Sequence, residues 1–525
     1  MKKTGICIFI LSITVSLFSQ NHQDTVVTFP ALKFHSEFEK EALSNYVLYK
    51  KDTFNLFLAI EKDMSKELAD QYKSTYKSIF TQLYSQKIDT KNVGNKIKMV
   101  YKAVHSQFLQ KYNENEYFPA IFNEGTYNCV TASLLFAQVF DQLKIPYKVM
   151  SSTDHIYLVA NPGKNSIVIE TTNPGFENAI FNGDFKDQYV NHLRESKLIS
   201  EADYKNKSVE EIFATKFNDL KESTVANLPG FQYYNKALTN AKINNIDEAY
   251  ELAQKAYFFY QDAQVKNLFY TTLAYKIEKC EFNKLEDVDL LAQFIRFNPS
   301  NLNEISKIFD VMLAKNLQYT DRSKNIDSYY QRLKSEITDK DVMTEIGFAY
   351  NMTMAYSKRY DLTGSNYYAR NALKFKPNQK DAILLFQTCL ENDLKTTTNT
   401  KSYLDSLNLY SKELDNVNTT PLIDNCKLKV YLKIAGKSLE NKNPADAEKY
   451  LKLFEESFQP PVKDIDMKIK IENVYYEYAC YYAKKNKAMT DKIISRGMKY
   501  IPGSNLLQSA KTSQVHISRM MIAPD

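Results

Sequence analysis

Tryptophan is absent from the 525 residues, and glycine (12) and proline (14) are scarce. So few turn formers argue against a protein of many short strands and tight hairpins, and they exclude collagen-like and low-complexity chains. Charge of one sign is lacking too. The 68 Lys and Arg against 62 Asp and Glu leave a net charge of +6, and basic residues are interspersed with acidic ones rather than gathered in a stripe. With no electrostatic footprint for nucleic acid, no DNA or RNA partner is expected. After the N-terminus no apolar run approaches the roughly 20 residues that cross a bilayer. No integral membrane segment is expected in the mature chain.

What the chain does have is 44% hydrophobic residues, 38 Tyr and 31 Phe. That composition buries a core and suits helices packed through aromatic side chains, so a mostly helical protein is expected. Residues 1–20 carry Lys2 and Lys3, then an apolar stretch over 6–18, then Ser19-Gln20-Asn21. This is the three-part layout of a cleaved signal peptide, and it predicts a periplasmic or secreted protein. The cysteines beyond it, Cys129, Cys280, Cys389, Cys426 and Cys480, are odd in number and widely spaced, unlike a disulfide framework. The last four read as small buried residues of helices. His22, His35, His105, His192 and His516 show no ligand spacing with one another or with a cysteine, and no phosphate loop or dinucleotide fingerprint is present. Neither metal nor cofactor is implied.

From 34 to 112 apolar residues recur at three and four, as in Leu56, Ile60, Met64 and in Ile97, Val100, Tyr101, Val104, which predicts amphipathic helices. After Gly125 comes a helix opening at Cys129, with Asn128 as its N-cap. The period then changes. Runs at 145–150, 155–160 and 166–171 are short and rich in β-branched and aromatic residues, the last two joined by Asn161-Pro-Gly-Lys164. They predict a small antiparallel sheet. If Pro162 and Gly163 form the centre of the turn, Leu158 faces Ile167 and His155 faces Glu170, with Cβ atoms about 5 Å apart. A one-residue bulge would send the two to opposite faces.

That register brings together residues that can carry chemistry. Cys129 lies at the first turn of a helix, where free backbone N–H groups favour an anion. A carboxylate opposite His155 can hold the imidazole tautomer and leave the other ring nitrogen for the thiol. Each residue alone also fits an ordinary role, a buried thiol or a bonded strand histidine.

Gly125-Thr-Tyr-Asn-Cys129-Val-Thr-Ala-Ser, Ile145-Pro-Tyr-Lys-Val, His155-Ile-Tyr-Leu and Ile169-Glu-Thr-Thr-Asn-Pro-Gly together resemble the core of the transglutaminase-like (papain-like cysteine) superfamily. The resemblance covers roughly 90–180. It implies Cys129 as nucleophile, His155 as base and Glu170 as orienting acid, with Asn123 as an oxyanion donor beside the Cys129 N–H. The acid is Glu where the family more often has Asp, and Ile156 follows the histidine.

From about 228 onward the pattern is one of helix pairs. Asn244-Asn-Ile-Asp-Glu-Ala249 and Asn443-Pro-Ala-Asp-Ala447 share a layout, and helix-ending prolines recur at Pro299, Pro377 and Pro502. These resemble degenerate tetratricopeptide repeats, and a generic array of helical hairpins reads the same way; either is an α-solenoid. The expected architecture is α+β: a signal peptide at 1–20, a transglutaminase-like domain at 30–225 and a tetratricopeptide-like repeat domain at 226–525. The expected function is an exported cysteine enzyme acting on amide bonds by hydrolysis, deamidation or acyl transfer, its repeats holding a protein or peptide partner. The alternative is a protein-binding scaffold whose cysteine domain is catalytically silent.

Overall fold

The computed structural model describes residues 27–510, except 51, 152–154, 164–165, 172–184, 196–198, 219–220, 319–322, 359–360 and 417. The leader read at 1–20 lies outside them. The chain is mostly helical with a small sheet, and its contacts divide it into two compact units, Met1–Cys280 and Glu281–Asp525.

The first unit opens with helices Glu37–Tyr49, Thr53–Leu58, Lys66–Ser85 and Val93–Gln107. Each starts where a short polar side chain accepts from a backbone N–H three residues on: Ser36, Asp52, Ser65 and Asn92. Their apolar faces meet as the spacing predicts, with Leu56, Ile60, Met64, Ile97, Val100 and Val104 all buried. The helix Cys129–Gln142 is buried on more than one face. Ser133, Leu134 and Ala137 are buried along with Ala132, Leu135 and Phe136, so it runs through the middle of the unit.

Against that helix packs a four-stranded antiparallel sheet in the order β5-β4-β3-β6, made of β3 (Tyr147–Ser151), β4 (Ile156–Ala160), β5 (Ile167–Ile169) and β6 (Lys221–Ser223). The three strands expected at 145–171 are present. The fourth, β6, comes from a charged three-residue stretch and closes on β3. Two further short strands, β1 (Lys111–Tyr112) and β2 (Thr126–Tyr127), pair in parallel just before Cys129.

The β4–β5 register corrects the expected one. Leu158 pairs with Ile169, Val159 with Val168 and Ala160 with Ile167, two residues away from a turn centred on Pro162-Gly163. The physical reason lies in Asn161, whose N–H donates to the Pro146 carbonyl at 2.7 Å while its backbone is left-handed (φ 49°). The turn then closes later, with the Ser166 N–H donating to Gly163 O at 3.3 Å. A slip of one would have reversed the faces, whereas a slip of two preserves them. His155 and Glu170 become diagonal neighbours on one face rather than direct ones.

Helices Leu228–Lys242, Ile246–Phe259 and Ala263–Glu278 complete this unit. The sequence-based boundary at 225 therefore falls inside it, because buried polar side chains tie these helices to the N-terminal ones. Gln232 Oε1 accepts from the Phe118 N–H (2.8 Å), and its Nε2 donates to Phe57 O (3.2 Å). Lys255 Nζ donates to both carboxylate oxygens of Glu39 (2.7 and 2.9 Å), and the Tyr233 hydroxyl donates to Glu39 as well (2.9 Å). Glu39 and Lys255 are both buried.

The second unit is a stack of antiparallel helix pairs, among them Lys340–Ser357 with Leu362–Phe375, Thr420–Glu440 with Pro444–Ser457, and Ile465–Tyr482 with Lys487–Tyr500. One continuous apolar core runs through it from Met352 to Ala510. The proline signals mark helix ends: Leu285–Phe297, Leu362–Phe375 and Lys487–Tyr500 each stop two residues before Pro299, Pro377 and Pro502. The intervening Asn298, Lys376 and Ile501 have ψ of 71°, 85° and 75°, as the proline ring clashes with a helical residue before it. Local turns repeat as well. Asn244 and Lys442 are both left-handed, and Asn245 and Asn443 donate back to Asn240 O (2.9 Å) and Ser438 O (2.8 Å). Ala249 and Ala447, which end the two matching stretches after these turns, are wholly buried.

Removing one partner of the Glu39–Lys255 pair leaves a buried charge without its match, which costs about 3–5 kcal/mol. Lys255→Met is expected to destabilise the first unit by that amount in urea denaturation followed by circular dichroism. Wild-type stability in this variant would contradict the role given to the pair.

Candidate active site

Cys129 is the first residue of its helix, and the cap that puts it there is complete. Asn128 Oδ1 accepts from the Thr131 N–H, and the Asn128 N–H donates to Thr131 Oγ1, both at 2.9 Å. Asn128 Nδ2 also donates to the carbonyls of Glu114 (3.0 Å) and Glu116 (2.8 Å), fastening the preceding loop to the cap. Gly125 makes the approach possible with φ of 67°.

His155 stands just before β4, and Glu170 just after β5. The imidazole Nε2 lies 2.8 Å from Glu170 Oε2. The Cys129 thiol interacts with the same imidazole and helps to raise its pKa. The Glu170 carboxylate is 2% exposed, and the His155 ring retains 20%. Behind them the Tyr101 hydroxyl donates to the Glu170 backbone carbonyl (3.3 Å), while burial and the Glu170 charge push the Tyr127 hydroxyl up to about 12. Burial by itself lowers the His155 pKa. The Glu170 carboxylate, with the hydrogen bonds to Cys129 and Glu170, outweighs burial and holds it well above the ordinary 6.5.

The three residues singled out from the sequence are thus brought together, while the fourth is not. Asn123 ends a short helix, Ala120–Asn123, is exposed, and does not line the cavity onto which Cys129 and His155 open. Its six-residue offset from Cys129 includes the left-handed Gly125 and β2, which carry the chain away before it reaches the cap. The cavity, of about 250 Å³, is also lined by Phe231, Tyr234, Asn235, Tyr260, Asp262 and Gln264. Sequence reasoning missed these residues because their helices carry the same aromatic, small-residue pattern as the later pairs. Among the described residues no group of His, Cys, Asp and Glu is placed to hold a metal ion.

No protein family matches the sequence, and no curated protein matches it. Similar solved structures include a monomeric mutant of IFIT1 with Gppp-AAAA, at 10% identity over 92% of this chain and 85% of that one. A human IFIT1 dimer with PPP-AAAA is 11% identical over 90% of this chain and 88% of that one. Both have a TM-score of 0.17, too low to carry an argument about fold or partner. The reading of this site therefore rests on its own geometry.

The raised His155 value has a definite sign. Its contribution to stability is complete below pH 6.5 and is lost as the pH rises through the folded-state value. In wild type the imidazole should hold its proton through pH 7, seen as an NMR titration midpoint above 6.5. Glu170→Gln removes the charge that opposes burial, so the midpoint should fall. A wild-type midpoint at or below 6.5 would contradict this account.

Proposed function

We propose that the protein is an exported cysteine enzyme of the transglutaminase-like kind, which transfers acyl groups from amide bonds through Cys129. The observation that carries this reading is the His155 imidazole, which meets the Glu170 carboxylate at 2.8 Å and opens with Cys129 onto one cavity. Proton transfer from Sγ to the His155 imidazole creates a thiolate at a helix N-terminus, where first-turn amides favour negative charge. Glu170 steadies the imidazolium and fixes its orientation.

The thiolate then attacks the amide carbonyl, forming the S–C bond as the C=O electron pair moves onto oxygen. Collapse of this intermediate breaks the C–N bond, and His155 returns its proton to the departing amine. An acyl group remains on Cys129 as a thioester. Water completes a hydrolysis or deamidation, and a second amine completes a transfer. The helix pairs that follow resemble tetratricopeptide repeats and are assigned the holding of a protein or peptide partner.

Thiol reactivity tests this reading. At pH 7 iodoacetamide is expected to label Cys129 well ahead of Cys426, whose thiol burial pushes up to about 11. His155→Ala should slow labelling of Cys129 and lower turnover by about 10²–10⁴-fold. Equal labelling of Cys129 and the buried Cys280, unchanged in His155→Ala, would overturn the enzyme and leave a binding scaffold.

A further inference from the structure

Cys129 and His155 are two of the fourteen residues that line the cavity, and Val130, Ile156, Phe231, Tyr234, Tyr260 and Val265 give it apolar and aromatic surface. The aromatic rings are fixed by close helix packing. A Cβ at Gly230 would lie 2.7 Å from Tyr260 Cβ and 3.1 Å from Ala256 O, so helices Leu228–Lys242 and Ile246–Phe259 touch with no side chain between them at that point. Phe231 and Tyr260 consequently meet with ring centroids 4.4 Å apart.

Two charged residues of the lining, Lys221 and Asp262, are paired at 2.7 Å, and Asp262 also accepts the Gln264 N–H at 3.1 Å. Among the described residues of the lining, apart from Cys129 and His155, neither an acidic nor a basic substrate side chain meets an unmatched charge. The side-chain amides of Asn235 and Gln264 supply polar contacts for a peptide backbone. A cavity of about 250 Å³ has room for water, which an apolar side chain would release on entering.

Resting on the acyl-transfer reading above, we propose that this cavity is a specificity subsite for an aromatic or large aliphatic side chain on the residue adjoining the reacting amide. The substrate class is accordingly a peptide or protein amide flanked by an apolar residue. Half of the recognition comes from helices that follow the sheet, so the site is complete only in the whole first unit.

Three alkylating probes of one chemistry test this on the full chain: N-iodoacetyl-phenylalaninamide, N-iodoacetyl-glycinamide and N-iodoacetyl-aspartamide. Each forms an S–C bond at Cys129 and releases iodide, so their second-order rates compare occupancy of the cavity alone. The phenylalanine probe should outpace the glycine probe by about tenfold or more, the advantage expected for burying one aromatic side chain, and the aspartate probe should be slowest. Ala263→Phe changes an exposed residue of the cavity lining to fill the space, and should bring the phenylalanine-to-glycine ratio toward one. Phe231→Ala should reduce the same ratio by removing the wall. Rapid labelling of Cys129 by all three probes without preference would overturn the subsite and leave the enzyme reading standing. Slow labelling of Cys129 by plain iodoacetamide as well would overturn both.

Discussion

The Glu170 carboxylate is almost wholly withdrawn from water, and a charge so placed is tolerated only when a donor or cation meets it. His155 is that partner. Meeting it requires the ends of β4 and β5 to lie side by side with their side chains on one face, and the slipped but parity-preserving register satisfies this. The same contact governs His155. Burial on its own would strip the imidazole of its proton, and the neighbouring carboxylate reverses that preference. Because the Cys129 thiol contributes to the same shift, sulfur, ring and carboxylate are electrostatically coupled. The capped helix start fixes the sulfur, and the sheet fixes the ring. The candidate site is where the two meet.

The helices from Leu228 to Glu278 join this arrangement rather than merely following it. Gln232, Tyr233 and Lys255 bind them to the N-terminal helices through buried hydrogen bonds, and their outer aromatic residues help to line the cavity. Buried polar networks of this kind fix geometry more than they add stability, because each member is costly when left unmatched. Here they fasten the helices that bring Phe231, Tyr234 and Tyr260 to the cavity shared with Cys129. In the second unit, close packing at residues such as Ala447 and one continuous core do the equivalent work for the stacked pairs.

Features governed by neighbours in the chain were legible in the sequence. The Asn128 cap, the helix ends before Pro299, Pro377 and Pro502, and the apolar faces of the N-terminal helices all follow from local sterics and spacing. The grouping of Cys129, His155 and Glu170 was legible because element order and strand parity suffice to bring them together. The register was not, because Asn161 is held by the carbonyl of Pro146, a contact across strands that no local rule predicts. Strand β6 was hidden for a related reason: Lys221-Glu-Ser has no apolar alternation and pairs only because β3 presents a free edge. The cavity wall was equally silent. In a chain with 38 tyrosines, nothing in the sequence distinguishes Tyr234 and Tyr260 from tyrosines that simply fill a core.

On the proposed reading Cys129 carries an acyl group between two halves of a reaction, and that group can be trapped. Incubated with p-nitrophenyl acetate and quenched in acid, the protein should release about one equivalent of nitrophenol in a burst. Intact-mass and peptide analysis should then place one acetyl group on Cys129, removable by hydroxylamine and missing from Cys129→Ser. Acetylation confined to surface lysines, with no thioester on Cys129, would contradict the account.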